Sequence, residues 1–204
     1  MTTPSRPRRF AVLAALAAMT VCLPLLFGCG RSAPTQFYSL STEAEKAAPQ
    51  PAGPCLSVGV GPVDFPAYLD RSQIVTRTGA NQMHLAEFAQ WIETPRENFQ
   101  RILTENLAGL ICAKPLVTYP WPTGGQPDRQ IVIQVARFDG ILGQDAKLRA
   151  SWSVLDADNK RLVWRSAEYR EAAAGPGYDA LAAAQSRLVE RFAKDVAASL
   201  QEKE

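Results

Sequence analysis

Residues 146–156 read AKLRASWSVLD. Leu148, Ala150, Trp152 and Val154 alternate strictly with Lys147, Arg149, Ser151 and Ser153. A period of two belongs to a β-strand, whose successive side chains point to opposite faces of a sheet. One face here is apolar and the other polar, which is the habit of an antiparallel strand with one covered and one wet side. The stretch before it, DRQIVIQVARFDG (128–140), is richer in apolar residues. Ile131, Ile133 and Val135 point one way in that strand, and Val132, Ala136 and Phe138 the other, so cover on both faces is expected. After AKLRASWSVLD, the turn DADNK leads into RLVWRSAEYR. The three strands read as an antiparallel meander.

Two helices flank this sheet. TPRENFQRILTENLAGLI (94–111) carries a capping box, with Thr94 at the N-cap and Glu97 three residues on. Pro95 suits the first helical position, where its missing N–H costs nothing. Phe99, Ile102, Leu103, Asn106, Leu107, Leu110 and Ile111 then share one face, and Pro115 stops any continuation. At the other end of the chain, Gly175-Pro176-Gly177 precedes a long helix. Its stripe is Tyr178, Leu181, Ala182, Gln185, Leu188, Val189, Phe192, Val196 and Leu200. Shorter strand candidates are QFYSLS (36–41), CLSVGVGPVDF (55–65) and the hairpin QIVTR-TGANQ-MHLAEF, with PAYLDR as a loop. The expected fold is one α+β domain, a mainly antiparallel sheet packed against two main helices. No internal repeat is visible.

The N-terminus has a different character. Arg6, Arg8 and Arg9 precede a diluted apolar run from Phe10 to Phe27 that ends LFGC. The run is marginal against the ~20 apolar residues a spanning helix needs. Its order of basic, apolar and small-residue segments is that of a secretory signal. Leu26 and Gly28 before Cys29 fit a lipoprotein cleavage site, so Cys29 is the candidate lipidation site; a signal-anchor helix with a passive cysteine is the alternative. The expected organisation is a signal peptide over 1–28, a lipidated N-terminus with a short strand and flexible loop over 29–54, and the α+β domain over 55–204. Removing the leader leaves 176 residues with 19 basic and 20 acidic side chains. A nearly neutral chain offers no basic footprint for nucleic acid. Acyl chains would hold it to the membrane without a spanning helix. Gly30 in place of aspartate after the cysteine favours the outer membrane over the inner.

Cys55 and Cys112 remain. In an oxidising compartment such a pair is expected to bridge, and two buried thiols are the alternative. No CxxC motif occurs and His84 is the only histidine, so no metal site is expected. His84 has no sequence context of a catalytic base, and neither a nucleophile elbow nor a phosphate loop is present. GVGPVDFP lacks the third glycine and following helix of a phosphate loop. The aspartates 139, 145, 156 and 158 cluster near turns, where aspartate is common for conformational reasons. The reading is of a non-enzymatic module with no cofactor.

Several stretches in order resemble the ABC-type transport auxiliary lipoprotein family. They are QFYSLS, the long segment VGVGPVDFPAYLDRSQIVTRTGANQMHLAEFAQWIETPRENFQRILTENLAGL, IVIQVARFDG with LRASW, and GYDALAAAQSRLVERFAKDVAASL. The resemblance implies a lipoprotein tethered to the periplasmic face of the outer membrane. It also implies work with inner-membrane transporter components and an MCE-domain protein that bridges the envelope, to move lipids or maintain the envelope. Only a lipidation site carries over, onto Cys29. A stand-alone lipid carrier and an outer-membrane assembly lipoprotein are the competing readings, and a homo-oligomer stays open. Large apolar groups in loops are costly unless covered. Phe65, Tyr68 and Leu69 in DFPAYLDR, with Trp91 and Trp121, are therefore candidate partner contacts; the alternative for each is that it folds back onto its own domain.

Overall fold

A computed structural model describes residues 33–42, 55–121 and 125–201. The leader over 1–28, Cys29 and the loop residues 43–54 lie outside the described residues. All described elements fall in the unit Thr35–Glu204. In chain order they are β1 (Gln36–Tyr38), β2 (Leu56–Asp64), β3 (Gln73–Arg77), β4 (Met83–Trp91), α1 (Pro95–Leu110), β5 (Ala113–Thr118), β6 (Arg129–Ile141), β7 (Asp145–Asp156), β8 (Arg161–Ala172) and α2 (Tyr178–Gln201).

The strands form two sheets. One has the order β5-β2-β6-β7-β8 and the other β1-β4-β3. The meander β6-β7-β8 is antiparallel throughout, with Ile133 opposite Trp152 and Trp152 opposite Arg165. The β3–β4 hairpin is antiparallel around TGANQ. The α+β class expected of the sequence is the one observed. Three parallel pairs join the antiparallel ladders: β2 runs parallel to both β5 and β6, and β1 to β4. Pro115 sits in β5, an edge strand, where a missing N–H is tolerated.

In β7 the alternation holds. Leu148, Ala150, Trp152 and Val154 are buried, and the intervening residues are exposed or half-buried. In β6 it does not carry through as the sequence suggests. The register shifts between Val135 and Arg137, which leaves Ala136 out of the ladder and exposed. One extra residue reverses the alternation. Phe138 is thereby brought into the core with Ile131, Ile133 and Val135. Val132 is half-buried, so cover on both faces is not maintained along the strand.

Helix α1 starts where the capping box places it. Thr94 is extended, and its Oγ1 accepts from the Glu97 N–H at 3.3 Å. Phe99, Ile102, Leu103 and Leu107 are buried. Helix α2 buries Leu181, Leu188, Val189, Phe192 and Val196, with Ala184, Ala193 and Ala197 allowing close approach. Phe99 of α1 and Phe192 of α2 meet at 5.8 Å between ring centroids. Around them, Phe99 packs on Phe65 and Phe138, and Phe192 on Trp152 and Tyr169. Such ring pairs contribute ~0.5–1.5 kcal/mol each beyond the area they bury. The polar ends of these aromatics are also held: Trp152 Nε1 donates to Ser199 Oγ at 2.8 Å, and the Tyr169 hydroxyl to Asp195 Oδ2 at 2.6 Å. Burial, with Asp195 accepting that hydrogen bond, pushes the Tyr169 phenol well above its ordinary value.

The segment after β1 is fastened to both helices. Leu40 N–H donates to Asn98 Oδ1 at 3.3 Å, and Ser41 N–H to Ser186 Oγ at 3.1 Å. Among the described residues, no helix is long and apolar enough to cross a membrane.

Candidate functional site

The five residues proposed as partner contacts have different fates. Phe65 and Leu69 are buried in the core, and so is Trp91. A turn accounts for the loop residues: Leu69 N–H donates to Pro66 O at 2.9 Å, which folds Leu69 inward. Phe65 completes a triangle of rings with Phe99 and Phe138. Trp91 shares the inward side of β4 with Ala89. None of the three presents a surface. Trp121 is half-buried; its indole packs edge-on to Tyr119 at 5.4 Å and lies over the backbone of Gly59. A Cβ at position 59 would come within 2.5 Å of that indole, so glycine is what lets the ring close over β2. Tyr68 alone of the five is exposed, at 43%.

Tyr68 stands beside an ionic cluster. Asp139 of β6 is fully buried. Its Oδ1 accepts from Arg137 Nε at 2.7 Å and its Oδ2 from Arg77 at 2.9 Å. Arg77 belongs to β3, so this carboxylate ties the three-stranded sheet to the five-stranded one. Arg137 and Arg149 are directly opposite in the β6–β7 ladder. Like charges in that position repel, and Asp139 offsets the repulsion. Tyr68 feels the whole group. Burial raises its phenol above the ordinary value and Asp139 raises it further, against Arg77, Arg137 and Arg149, which lower it. The loop is held down by an ion pair from Arg96 to Asp70 at 2.6 Å. The result is an exposed aromatic on a pinned loop, within electrostatic reach of three arginines. Pairing of charges across the two sheets left no periodic signal in the sequence.

A groove of about 560 Å³ runs between α1 and β5, lined by Glu93, Glu97, Gln100, Arg101, Thr104 and Leu116 among others. Arg101 bridges Glu93 and Glu105 there. Gln100 Nε2 donates to Val60 O at 2.8 Å and fixes the helix to β2. At the other end of β5, Cys55 and Cys112 form a disulfide with Cα atoms 4.7 Å apart. It links the residue before β2 to the residue before β5, where Leu56 pairs with Ala113. Among the described residues, no group of His, Cys, Asp and Glu is arranged to hold a metal ion. His84 is exposed on β4.

The geometry defines a mixed-sheet α+β domain whose described surface offers ionic and aromatic contacts. The same fold appears in two solved structures. An uncharacterized protein matches with a TM-score of 0.66 at 17% identity, covering 83% of this chain and 100% of its own. A Xanthomonas campestris protein of the DUF330 family matches with a TM-score of 0.67 at 15% identity, covering 81% of this chain and 94% of its own. A PelC dodecamer from Paraburkholderia phytofirmans aligns at a TM-score of 0.41 and 16% identity, covering 76% of this chain and 97% of its own. No curated protein matches the chain significantly. The model of the ABC-type transport auxiliary lipoprotein component family matches residues 38–197, and the chain belongs to that family. Membership places it among lipoproteins that serve transport.

Proposed function

We propose that this chain is a non-catalytic docking subunit of an MCE-type lipid transport complex, anchored through acylated Cys29 to the periplasmic face of the outer membrane. The family match over residues 38–197 carries the reading. The surface agrees with a docking role. Tyr68 is exposed on a loop tied down by Arg96, and the guanidinium groups of Arg77, Arg137 and Arg149 lie within its electrostatic reach. Tyrosine and arginine are the residue types that dominate binding energy at protein interfaces. The partner surface it suits is acidic or carbonyl-rich at its centre. Inner-membrane transporter components complete the proposed assembly, and the chain requires no cofactor.

The test is a photo-crosslinking amino acid at position 68 of the acylated protein in native envelopes. Capture of an MCE-domain protein, identified by mass spectrometry, is the expected result. Capture of a β-barrel alone would overturn it in favour of outer-membrane assembly. Stoichiometric phospholipid on the purified protein, with no captured partner, would make it a lipid carrier.

A further inference from the structure

In the three-stranded sheet, β3 is buried on both sides, but β1 and β4 carry an apolar face that is open among the described residues. Phe37 of β1 is 59% exposed, Leu85 and Phe88 of β4 are 43% and 37% exposed, and Ile92 just beyond β4 is 64% exposed. These are four of the seven exposed large apolar side chains in the described structure. They share a side. Phe37 is opposite Gln90 in the parallel ladder, and Phe88 and Ile92 are each two residues from Gln90. Ala89 and Trp91 between them are buried on the reverse. The β3–β4 ladder passes from Gln73 opposite Gln90 to Val75 opposite Leu85, five positions of β4 against two of β3, and across that irregularity Leu85 and Phe88 are both exposed.

The chain leading to this sheet says what meets it. Gln36, the first residue of β1, lies seven positions after Cys29. A fully extended segment of that length spans about 25 Å at most. Acyl chains on Cys29 therefore hold the β1 edge within about 25 Å of the leaflet, and Phe37 belongs to that edge. Aromatic and aliphatic side chains at the end of a short lipid tether are what an interfacial surface needs, since aromatic rings settle at headgroup depth. Glu87 is exposed between Leu85 and Phe88 in β4, so the seating is at headgroup depth, where a carboxylate stays in water.

We propose that the open face of β1 and β4, Phe37, Leu85, Phe88 and Ile92, seats on the lipid leaflet that holds the anchor. This rests on acylation of Cys29. It also assigns an orientation to the domain, with a specified side against lipid.

The experiment uses the full acylated chain in vesicles of phosphatidylethanolamine and phosphatidylglycerol. A nitroxide is placed in turn at Phe88→Cys and at Trp164→Cys, a second exposed aromatic on β8. Spin relaxation by oxygen, which concentrates in lipid, is compared with relaxation by a water-soluble nickel chelate. The expected ratio of oxygen to nickel accessibility is several-fold higher at position 88 than at position 164. Equal ratios in protein that floats with the vesicles would overturn the seating while leaving the anchor intact. Dipolar broadening between labels at position 88 would overturn it in favour of a second copy on this face. Flotation of wild type beside Cys29→Ser reads the anchor separately: wild type that fails to float removes both the anchor and the seating.

Discussion

The outward surfaces of the two sheets are built on opposite plans. On β6, β7 and β8 the side facing away from the helices carries Arg137, Lys147, Arg149, Glu168 and Arg170 in facing rows around the buried Asp139, and charges of both signs meet across the ladder. On β1 and β4 the outward side carries Phe37, Leu85, Phe88 and Ile92. Both sheets contribute to one continuous core, the small sheet through the reverse side of β4 and both sides of β3. Burial of apolar area therefore explains the inside of each sheet equally and explains neither outside. The large sheet has the ordinary half-wet surface of an antiparallel meander. The small sheet exposes a cluster of large apolar groups, the pattern that marks an interaction surface.

The comparison can be broken first at the large sheet's free end. The bridge between Cys55 and Cys112 closes a loop across 57 residues. Cys55→Ala with Cys112→Ala is expected to cost about 4 kcal/mol in urea unfolding, from the loop entropy released to the unfolded chain. The loss is expected in stability, with the small sheet's outward face unaffected.

Next comes the joint between the sheets. Asp139→Ala leaves Arg77 and Arg137 without their shared carboxylate, and Arg137 opposite Arg149 with only Glu168 beyond to offset the charge. Removing one partner of a buried ion pair costs about 3 kcal/mol. Hydrogen exchange is the sharper measurement: amides of β3 and β4 should lose protection before those of β6 to β8. Equal loss in both sheets would mean that Asp139 stabilises the domain without joining its halves.

A smaller effect tests how the large sheet is held to α2. Tyr169→Phe removes one hydrogen bond, worth about 1 kcal/mol. It also changes the pH dependence. The Tyr169 phenol is raised in the folded state, so its contribution is fully present below the ordinary tyrosine range and is lost as pH rises through and beyond it. Wild-type stability should fall at alkaline pH, and Tyr169→Phe should flatten that fall. Acid behaves oppositely at Asp128, which is held below the usual carboxylate range by the N–H and hydroxyl of Ser57. Its contribution is present above that range and is lost as pH drops through the lowered value.

The smallest effect on stability sharpens the comparison most. Phe37→Ser with Phe88→Ser changes exposed residues and should move stability by under about 0.5 kcal/mol. It should nevertheless reduce retention on vesicles in a high-salt wash. Trp164→Ser, between Phe88 and Phe37 in exposure but on β8, should leave retention unchanged.

Local pattern was legible wherever a single element carries its own signal. The alternation from Lys147 to Val154 needed no partner to be read, because the period of side-chain direction is a property of one strand. The capping box at Thr94 and the apolar stripe from Leu181 to Val196 were equally self-contained. The bulge at Ala136 was not, because an alanine in an apolar run gives no sign that the ladder skips it. The neighbours of Trp91 and Phe65 in the sequence point to the surface, and the fold buries both. A loop's apolar residue is exposed or buried according to what lies beneath it, here the rings of Phe99 and Phe138.

Residue order alone thus determined the α+β class, the two helices and their limits, the meander and the candidate anchor at Cys29. These follow from interactions within a few residues, or from a leader's order of charge and apolarity. Only the tertiary structure decided that β2 runs parallel to both its neighbours. It also decided that Asp139 is shared by two strands of different sheets, and that Tyr68 stays outside while Leu69 turns in. The physical reason is the same in each case: the partners lie tens of residues away in sequence, and their contact is specified by packing that no single segment contains.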